Sequence, residues 1–186
     1  MKRLVPLLCL ALLLAACKEE VVDRPDPVSM TASAVGHFCQ MTLLEHPGPK
    51  AQVHLVGLPG TPLFFSQVRD GIAFLRMPEQ NYDIATVYVS DMGRAPSWDA
   101  PGAENWIEAD RAHFVIGSDR AGGMGAPEVV PFAELSAAQA FVSQHGGRIA
   151  ALDEISGAEV LAPIEAADDF AAGPDNFKTR LRALSQ

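Results

Sequence analysis

The sequence predicts an α+β fold in which two pseudo-repeated ββαβ units pack together. Each half of the chain contains three short segments rich in apolar, β-branched and aromatic residues, with a helical pattern before the third. A segment rich in glycine and proline, residues 91–110, separates the halves. Because small units of this kind bury their apolar faces against one another, we expect the two halves to form one folded body.

The first unit is assigned to residues 35–110. Its elements are expected in the order strand 53–58, strand 63–68, helix 69–77 and strand 83–90. Pro59-Gly60-Thr61-Pro62 has the composition of a tight turn, which makes the first two strands a hairpin. His54 alternates with apolar neighbours, so the pattern places it on the solvent face of its strand. Residues 91–110 have loop composition with Trp98 and Trp106 as aromatic anchors.

The second unit is assigned to residues 111–162. Its elements are expected in the order strand 113–117, strand 128–132, helix 133–145 and strand 148–155. Gly146 is the expected helix terminator, since glycine readily adopts the left-handed conformation that ends many helices. Residues 163–186 are acidic and only weakly helical near 176–184, so we predict a variable carboxyl-terminal tail.

The amino terminus has the pattern of a secretory signal. Met1-Lys2-Arg3 precedes an apolar run that is shorter than the roughly 20 residues needed to span a bilayer. Leu14-Ala15-Ala16-Cys17 resembles the bacterial lipobox, in which the cysteine is lipidated. We therefore predict a lipoprotein signal at residues 1–16, a lipid anchor on Cys17 and a flexible tether over residues 17–34.

These features predict a domain in the cell envelope that is anchored by lipid and faces the periplasm. Lys18 after the cysteine favours the outer membrane over the inner one, by analogy with lipoprotein sorting. The formal charge is −9 before the basic signal residues are removed, which argues against nucleic acid as a partner because nucleic-acid binding rests on neutralising phosphates.

The cysteine inventory leaves one thiol to explain. Cys9 leaves with the signal and Cys17 is expected to be acylated, so Cys39 is the sole free thiol of the mature chain. Three alternatives remain open for Cys39: a buried inert cysteine, a reactive nucleophile, or a metal ligand protected by its metal.

Cys39-Gln40-Met41 supplies two soft sulfur donors of the kind that Cu(I) prefers. In an extended backbone, side chains at positions i and i+2 lie on one face, so both sulfurs are expected to meet one ion. Met124 lies between glycines that allow close approach, and it is either a third sulfur ligand or a residue that fills a gap in the core. Further candidate ligands are His37, His113, Asp91 and Met92.

Two other functions compete with metal carriage. A thiol-dependent envelope enzyme would need a base beside Cys39, and His37 is the nearest candidate. The absence of C-x-x-C, a nucleophile elbow, a phosphate loop and H-E-x-x-H weakens every enzyme hypothesis. A docking lipoprotein without metal would instead present Trp98 and Trp106 on an exposed loop.

The chain also resembles the NosL family, copper-binding lipoproteins associated with the assembly of nitrous oxide reductase. The resemblance covers most of the mature chain up to about Ile155. It rests on the lipobox and on several short motifs: Cys39-Gln40-Met41, Ser90-Asp91-Met92, Ala112-His113-Phe114-Val115-Ile116-Gly117-Ser118, Gly123-Met124-Gly125, Pro131-Phe132 and His145-Gly146-Gly147.

The resemblance implies a duplicated ββαβ fold, Cu(I) as the bound metal and no catalytic activity. The family's C-x-M motif maps onto Cys39 and Met41, and its glycine-flanked methionine maps onto Met124. Copper is expected to pass toward nitrous oxide reductase. A periplasmic accessory protein and its ABC transporter are the expected docking partners, beside the membrane itself.

Overall fold

The computed structural model describes residues 24–163 and residue 182. The predicted signal peptide, the lipidated Cys17, the first part of the tether and nearly all of the predicted tail lie outside the described residues. None of the described helices is long and apolar enough to cross a membrane.

The first half of the chain forms a four-stranded antiparallel sheet. Its elements are β1 (Ala51–Leu55), β2 (Leu63–Phe65), α1 (Val68–Arg76), β3 (Ile84–Ser90) and β4 (Trp106–Glu108). The strand order is β2-β1-β3-β4, and every pair is antiparallel. Helix α1 contacts both β1 and β2.

The second half forms a three-stranded antiparallel sheet with the order β6-β5-β7. Its elements are β5 (His113–Ile116), β6 (Val130–Phe132), α2 (Leu135–His145) and β7 (Arg148–Ala150). A short helix α3 (Gly157–Leu161) follows. Two antiparallel sheets with helices confirm the predicted mixed fold class, and in both halves two strands precede a helix and a third strand.

Strand β5 joins the two halves. Phe114 belongs to the large core that also contains Val53, Phe65 and Ile72, whereas Val115 belongs to a smaller core beneath α2. Because successive side chains of a strand point to opposite faces, β5 contributes to both cores. The two sheets are therefore packed into one body.

The predicted element boundaries were wrong at several places. The expected loop 91–110 contains β4, which pairs with β3 through Tyr88 and Glu108. The last strand ends at Ala150, because residues 152–154 form a 3-10 helix whose Glu154 carboxylate accepts the Ala151 N–H. Gly146 does end α2, with a φ of 71°, as predicted.

Residues 24–30, here called the terminal strap, lie against the first sheet rather than in a flexible tether. The Gln52 side chain forms two hydrogen bonds with the backbone of Val28, and the Tyr88 hydroxyl donates to Pro25 O at 2.9 Å. Met30 is buried. The prediction that the tether extends to residue 34 was therefore wrong, because this segment finds polar and apolar partners on the sheet.

The terminal strap also explains an error about His54. Gln52 and His54 lie on the same face of β1, and both are fully buried. His54 Nε2 is 2.8 Å from Gln52 Oε1, and burial lowers the pKa of the imidazole. The alternating pattern predicted a solvent-facing histidine because it contained no information about a distant segment that covers this face.

Candidate metal site

Cys39 and Met41 lie in a tight turn just before β1. The Gly36 N–H donates to Met41 O at 3.0 Å, the Gln40 N–H donates to Gly36 O at 2.8 Å, and a bridge between Val35 and Thr42 closes the turn. Gln40 has a φ of 55°, a left-handed conformation that few side chains other than glycine adopt readily. The expected extended backbone was therefore wrong, and the two sulfur side chains are presented by a chain reversal.

The Cys39 thiol is half-buried in the mouth of this turn. Its Sγ lies 3.6 Å from Ser66 Oγ and 4.0 Å from Met41 O. A Cβ atom on Gly36 would stand only 2.5 Å from the sulfur. The absence of a side chain at Gly36 therefore provides the space that Sγ occupies. The thiol donates only weak hydrogen bonds here, and the Ser66 hydroxyl is placed to donate to a thiolate.

Met124 lies on a loop of the second half that reaches the first half. The Gly122 N–H donates to Ala126 O at 2.8 Å, which closes the loop on itself. The Met124 N–H donates to Gln67 Oε1 at 2.9 Å, and His46 Nδ1 lies 3.1 Å from Gly123 O. The loop thus contacts one residue that precedes β1, His46, and one that follows β2, Gln67.

The two sulfur-bearing segments converge on consecutive residues. Ser66 contacts the Cys39 sulfur and Gln67 contacts the Met124 backbone, while adjacent Cα atoms are only about 3.8 Å apart. Met41 and Met124 are each 43% exposed. The half-buried thiol and the backbone of the methionine loop therefore lie near the start of α1, and both methionine side chains are accessible.

A buried cation and a buried carboxyl group lie behind this surface. Lys50 is fully buried, and its Nζ donates to Gly48 O at 2.6 Å and to Pro47 O at 3.2 Å. Burial lowers the pKa of Lys50 to about 8, opposed by the attraction of Glu128 and Cys39. Lys50 therefore places a buried positive charge in electrostatic contact with the cysteine that would become a thiolate on metal binding.

Glu128 is fully enclosed, and its Oε1 accepts the N–H groups of Arg69 and Val129 at 3.0 Å and 2.9 Å. Burial raises the pKa of this carboxyl group to about 8, despite those two hydrogen bonds. The remaining oxygen, Oε2, is buried and has no hydrogen-bond partner. Protonation is the chemical response to such an environment, because an isolated buried carboxylate is costly.

The other candidate ligands are occupied elsewhere in the fold. The Asp91 carboxylate is buried, and its Oδ1 accepts the N–H groups of Gly93 and Ala133 at 3.0 Å and 3.1 Å. Met92 is half-buried against the core beneath α2. Both residues therefore stabilise the junction between the halves.

The two candidate histidines also have other surroundings. The His37 ring packs against Phe65 and Phe74, with centroid distances of 5.6 Å and 5.7 Å. His113 begins β5 and pairs with Phe132. No hydrogen bond within the described part of the chain joins either imidazole to Cys39.

Trp98 and Trp106 do not form an exposed docking loop, contrary to that hypothesis. Trp98 is half-buried, stacks on Phe141 and carries the Arg120 guanidinium 4.3 Å above its ring. Trp106 is half-buried in β4, where its Nε1 donates to Ala103 O. Trp106 lies in the sheet because β4 pairs with β3.

Sequence reasoning missed Ser66, Gln67, His46 and Lys50, which surround the sulfur-bearing turns. Their contacts with residues 39 and 123–128 span long stretches of sequence, so no local pattern marks them. Over residues 24–163, no group of three or more His, Cys, Asp and Glu side chains is arranged to hold a metal ion. A metal site in this part of the chain would therefore depend on methionine sulfur as well as on the thiol.

Comparison with known proteins bears on this arrangement. The family model of NosL matches residues 27–160, which include both sulfur-bearing turns. The chain belongs to the NosL family. A relative from Achromobacter cycloclastes named copper-binding lipoprotein NosL is 54% identical over 173 residues, covering 92% of this chain and 89% of the relative.

Two further NosL proteins show the same relationship. A copper-binding lipoprotein NosL from Stutzerimonas stutzeri is 36% identical over 138 residues, covering 74% of this chain and 70% of the relative. The crystal structure of the copper chaperone NosL from Shewanella denitrificans matches with a TM-score of 0.68 and 32% identity. That match covers 73% of this chain and 99% of the solved chain. The predicted membership of the NosL family is confirmed.

Proposed function

We propose that this chain is a lipid-anchored, periplasm-facing carrier of Cu(I) that supplies copper for the maturation of nitrous oxide reductase. One observation carries the proposal: the only described cysteine contacts Ser66, and the backbone of a glycine-flanked methionine from the other half contacts the next residue, Gln67. Soft thiolate and thioether donors select Cu(I) over the hard cations that prefer oxygen. The names of the relatives, which include copper-binding lipoproteins and a copper chaperone, agree with this choice.

The proposed ligands are the Cys39 thiolate and the thioethers of Met41 and Met124. Metal binding requires the thiol to lose its proton, and the buried Lys50 ammonium compensates part of the resulting negative charge. His37 and His113 are not included in this ligand set, since the His37 ring packs against phenylalanine rings and His113 lies in β5 opposite Phe132.

The surroundings of the sulfur support carriage rather than catalysis. Among the described residues, the hydrogen-bond partners of Cys39 Sγ are Ser66 Oγ and Met41 O, and neither is a base of the kind that activates a nucleophilic thiol. The exposure of Met41 and Met124 leaves a bound ion open to ligands from a partner. Such openness suits transfer by ligand exchange.

The proposal extends to the location and partners of the chain. The lipobox at Cys17 and the relatives named lipoprotein support an anchor in the envelope, with the outer membrane as the proposed site. Nitrous oxide reductase and a periplasmic accessory protein with its ABC transporter are the proposed partners. The equal order of elements in the halves supports two pseudo-repeated ββαβ units.

Copper binding is tested by competition with a chromophoric Cu(I) chelator under reducing, oxygen-free conditions. Cys39→Ser should lower the affinity at least 100-fold, because it removes the only thiolate among the proposed ligands, and Met124→Leu should lower it less. Met77→Leu, at another exposed methionine, is the matched control and should leave the affinity unchanged. Unchanged affinity in Cys39→Ser would refute the proposed site.

Delivery is tested in denitrifying cells that lack this chain. Wild-type protein should restore the copper content of purified nitrous oxide reductase, whereas Cys39→Ser should not. Equal copper content in both strains would refute the proposed delivery role while leaving copper binding intact.

A further inference from the structure

One peptide plane of the methionine loop is held from both sides by residues of the first half. The carbonyl oxygen of Gly123 faces His46 Nδ1 at 3.1 Å, and the N–H of Met124 donates to Gln67 Oε1 at 2.9 Å. The C=O and N–H groups belong to the same peptide unit, which is planar. Because the Met124 Cα lies in the same plane, fixing both groups fixes the point from which the Met124 side chain leaves the backbone.

The two glycines before Met124 allow this close contact. A Cβ atom on Gly122 would lie 2.3 Å from Glu128 Oε2 and 2.5 Å from Gln67 Oε1. A Cβ atom on Gly123 would lie 2.5 Å from His46 Cβ and 2.9 Å from the Pro47 carbonyl oxygen. Neither glycine has the positive φ that would require glycine for conformational reasons. Their role is steric, since they let the loop backbone approach His46 and Gln67.

Both partners of this peptide have further contacts within the first half. Gln67 is 2% exposed, occupies the N-cap position of α1 and donates from Nε2 to Asp70 Oδ2 at 3.1 Å. His46 is 9% exposed, and its backbone N–H donates to Leu43 O. Because Gly123 O only accepts hydrogen bonds, His46 Nδ1 must carry a proton, and its Nε2 is buried without a partner.

We infer that His46 and Gln67 are positioning residues that hold the Met124 backbone at a place from which its thioether reaches the Cys39 side of the site. The inference rests on the proposed function, since it assumes that Met124 is a copper ligand. A methionine side chain has several rotatable bonds, so a loose loop would spread its sulfur over many positions. A fixed peptide lowers the backbone contribution to that spread and reduces the ordering cost of metal binding.

The first experiment measures Cu(I) affinity by chelator competition in a double-mutant cycle. Gln67→Met removes the acceptor while keeping a buried side chain of similar length, and should weaken binding about fivefold, the effect of one typical hydrogen bond. In a Met124→Leu background, the same substitution should change the affinity by less than twofold. An equal loss in both backgrounds would overturn the positioning role.

His46 offers a conservative rescue. The Asn side-chain amide can donate from a position close to that of Nδ1, so His46→Asn should bind Cu(I) within about twofold of wild type, whereas His46→Leu should bind several-fold more weakly. An equal loss in both variants would overturn the inference, because the imidazole itself would then be needed. Cys39→Ser separates this outcome from failure of the proposed function: retained binding in that variant refutes the copper site itself.

Hydrogen exchange in the metal-free protein provides a direct readout. The Met124 amide should exchange at least several-fold faster in Gln67→Met than in wild type, while amides of β3 remain unchanged. Unaltered exchange at Met124 would overturn the inference even if copper affinity fell. Equal protection of β3 in the two proteins shows that both are folded.

Discussion

Glu128→Gln tests the buried carboxyl group behind the methionine loop. The substitution keeps a carbonyl oxygen that can accept the two backbone N–H groups now bound by Oε1. It also removes the group's ability to ionise. Any change in the pH dependence of stability then reports the titration of this one side chain.

The expected magnitude follows from the folded-state pKa of Glu128, which burial raises from 4.5 to about 8. A carboxyl group whose pKa is raised in the folded state contributes stability that is fully present below pH 4.5. This stability is lost as the pH rises toward 8, because only the unfolded state releases its proton freely. The loss is about 1.4 kcal/mol per pH unit, or about 3 kcal/mol between pH 4.5 and 7. Lys50 does not change the pH dependence of the free energy of unfolding between pH 4.5 and 7, since its pKa lies above this range in the folded and the unfolded state.

The assay is denaturant unfolding at pH 5 and pH 7, followed by tryptophan fluorescence under reducing conditions. The free energy of unfolding of Glu128→Gln should rise relative to wild type by roughly 2 to 3 kcal/mol between these two pH values. Glu79→Gln, at an exposed position, is the control for the change in net charge. A constant difference between Glu128→Gln and wild type across this range would refute the titration of Glu128.

Two further predictions concern the Cys39 pocket and the junction between the halves. Gly36→Ala should lower Cu(I) affinity more than tenfold in the chelator competition, because its Cβ would stand 2.5 Å from Cys39 Sγ. Unchanged binding would contradict this and show that the sulfur can move aside without loss of affinity. Asp91→Ala should lower the free energy of unfolding by about 2 to 4 kcal/mol in urea titrations, since two backbone N–H groups lose their acceptor. Asp91→Asn, which keeps an oxygen, should cost less, and equal costs would contradict this explanation.

The fold class was predictable because strand and helix patterns are local. The strands β1, β2, β3, β5 and β6 contain apolar, β-branched or aromatic residues between turn signals, and the pattern alone places them within a few residues. Strand β4 was missed because Trp106–Glu108 is too short to show a period. Helix α3 was also missed, although Ser156 and Glu159 have the spacing of a capping box, which the structure contains.

The candidate site was predictable only in part, for a physical reason. Cys39 and Met124 could be selected as candidates because the thiol is expected to be alone in the mature chain and the methionine lies between glycines. Gln67, His46 and Lys50 act through contacts with residues far away in the chain, and such contacts depend on how the halves pack. The turn at Gln40 escaped detection because a left-handed residue other than glycine has no sequence signal.

The terminal strap determines how far from the membrane this domain can work. If Cys17 is acylated as proposed, the chain between it and Arg24 can span at most roughly 25 Å, because contact with the sheet begins at the strap. The domain would then be confined to a thin layer above the lipid headgroups. Collisions with other membrane-bound proteins would occur by lateral diffusion within that layer, at an effective concentration that soluble proteins rarely reach. Copper exchange would thus depend on how near the bilayer a partner presents its own ligands.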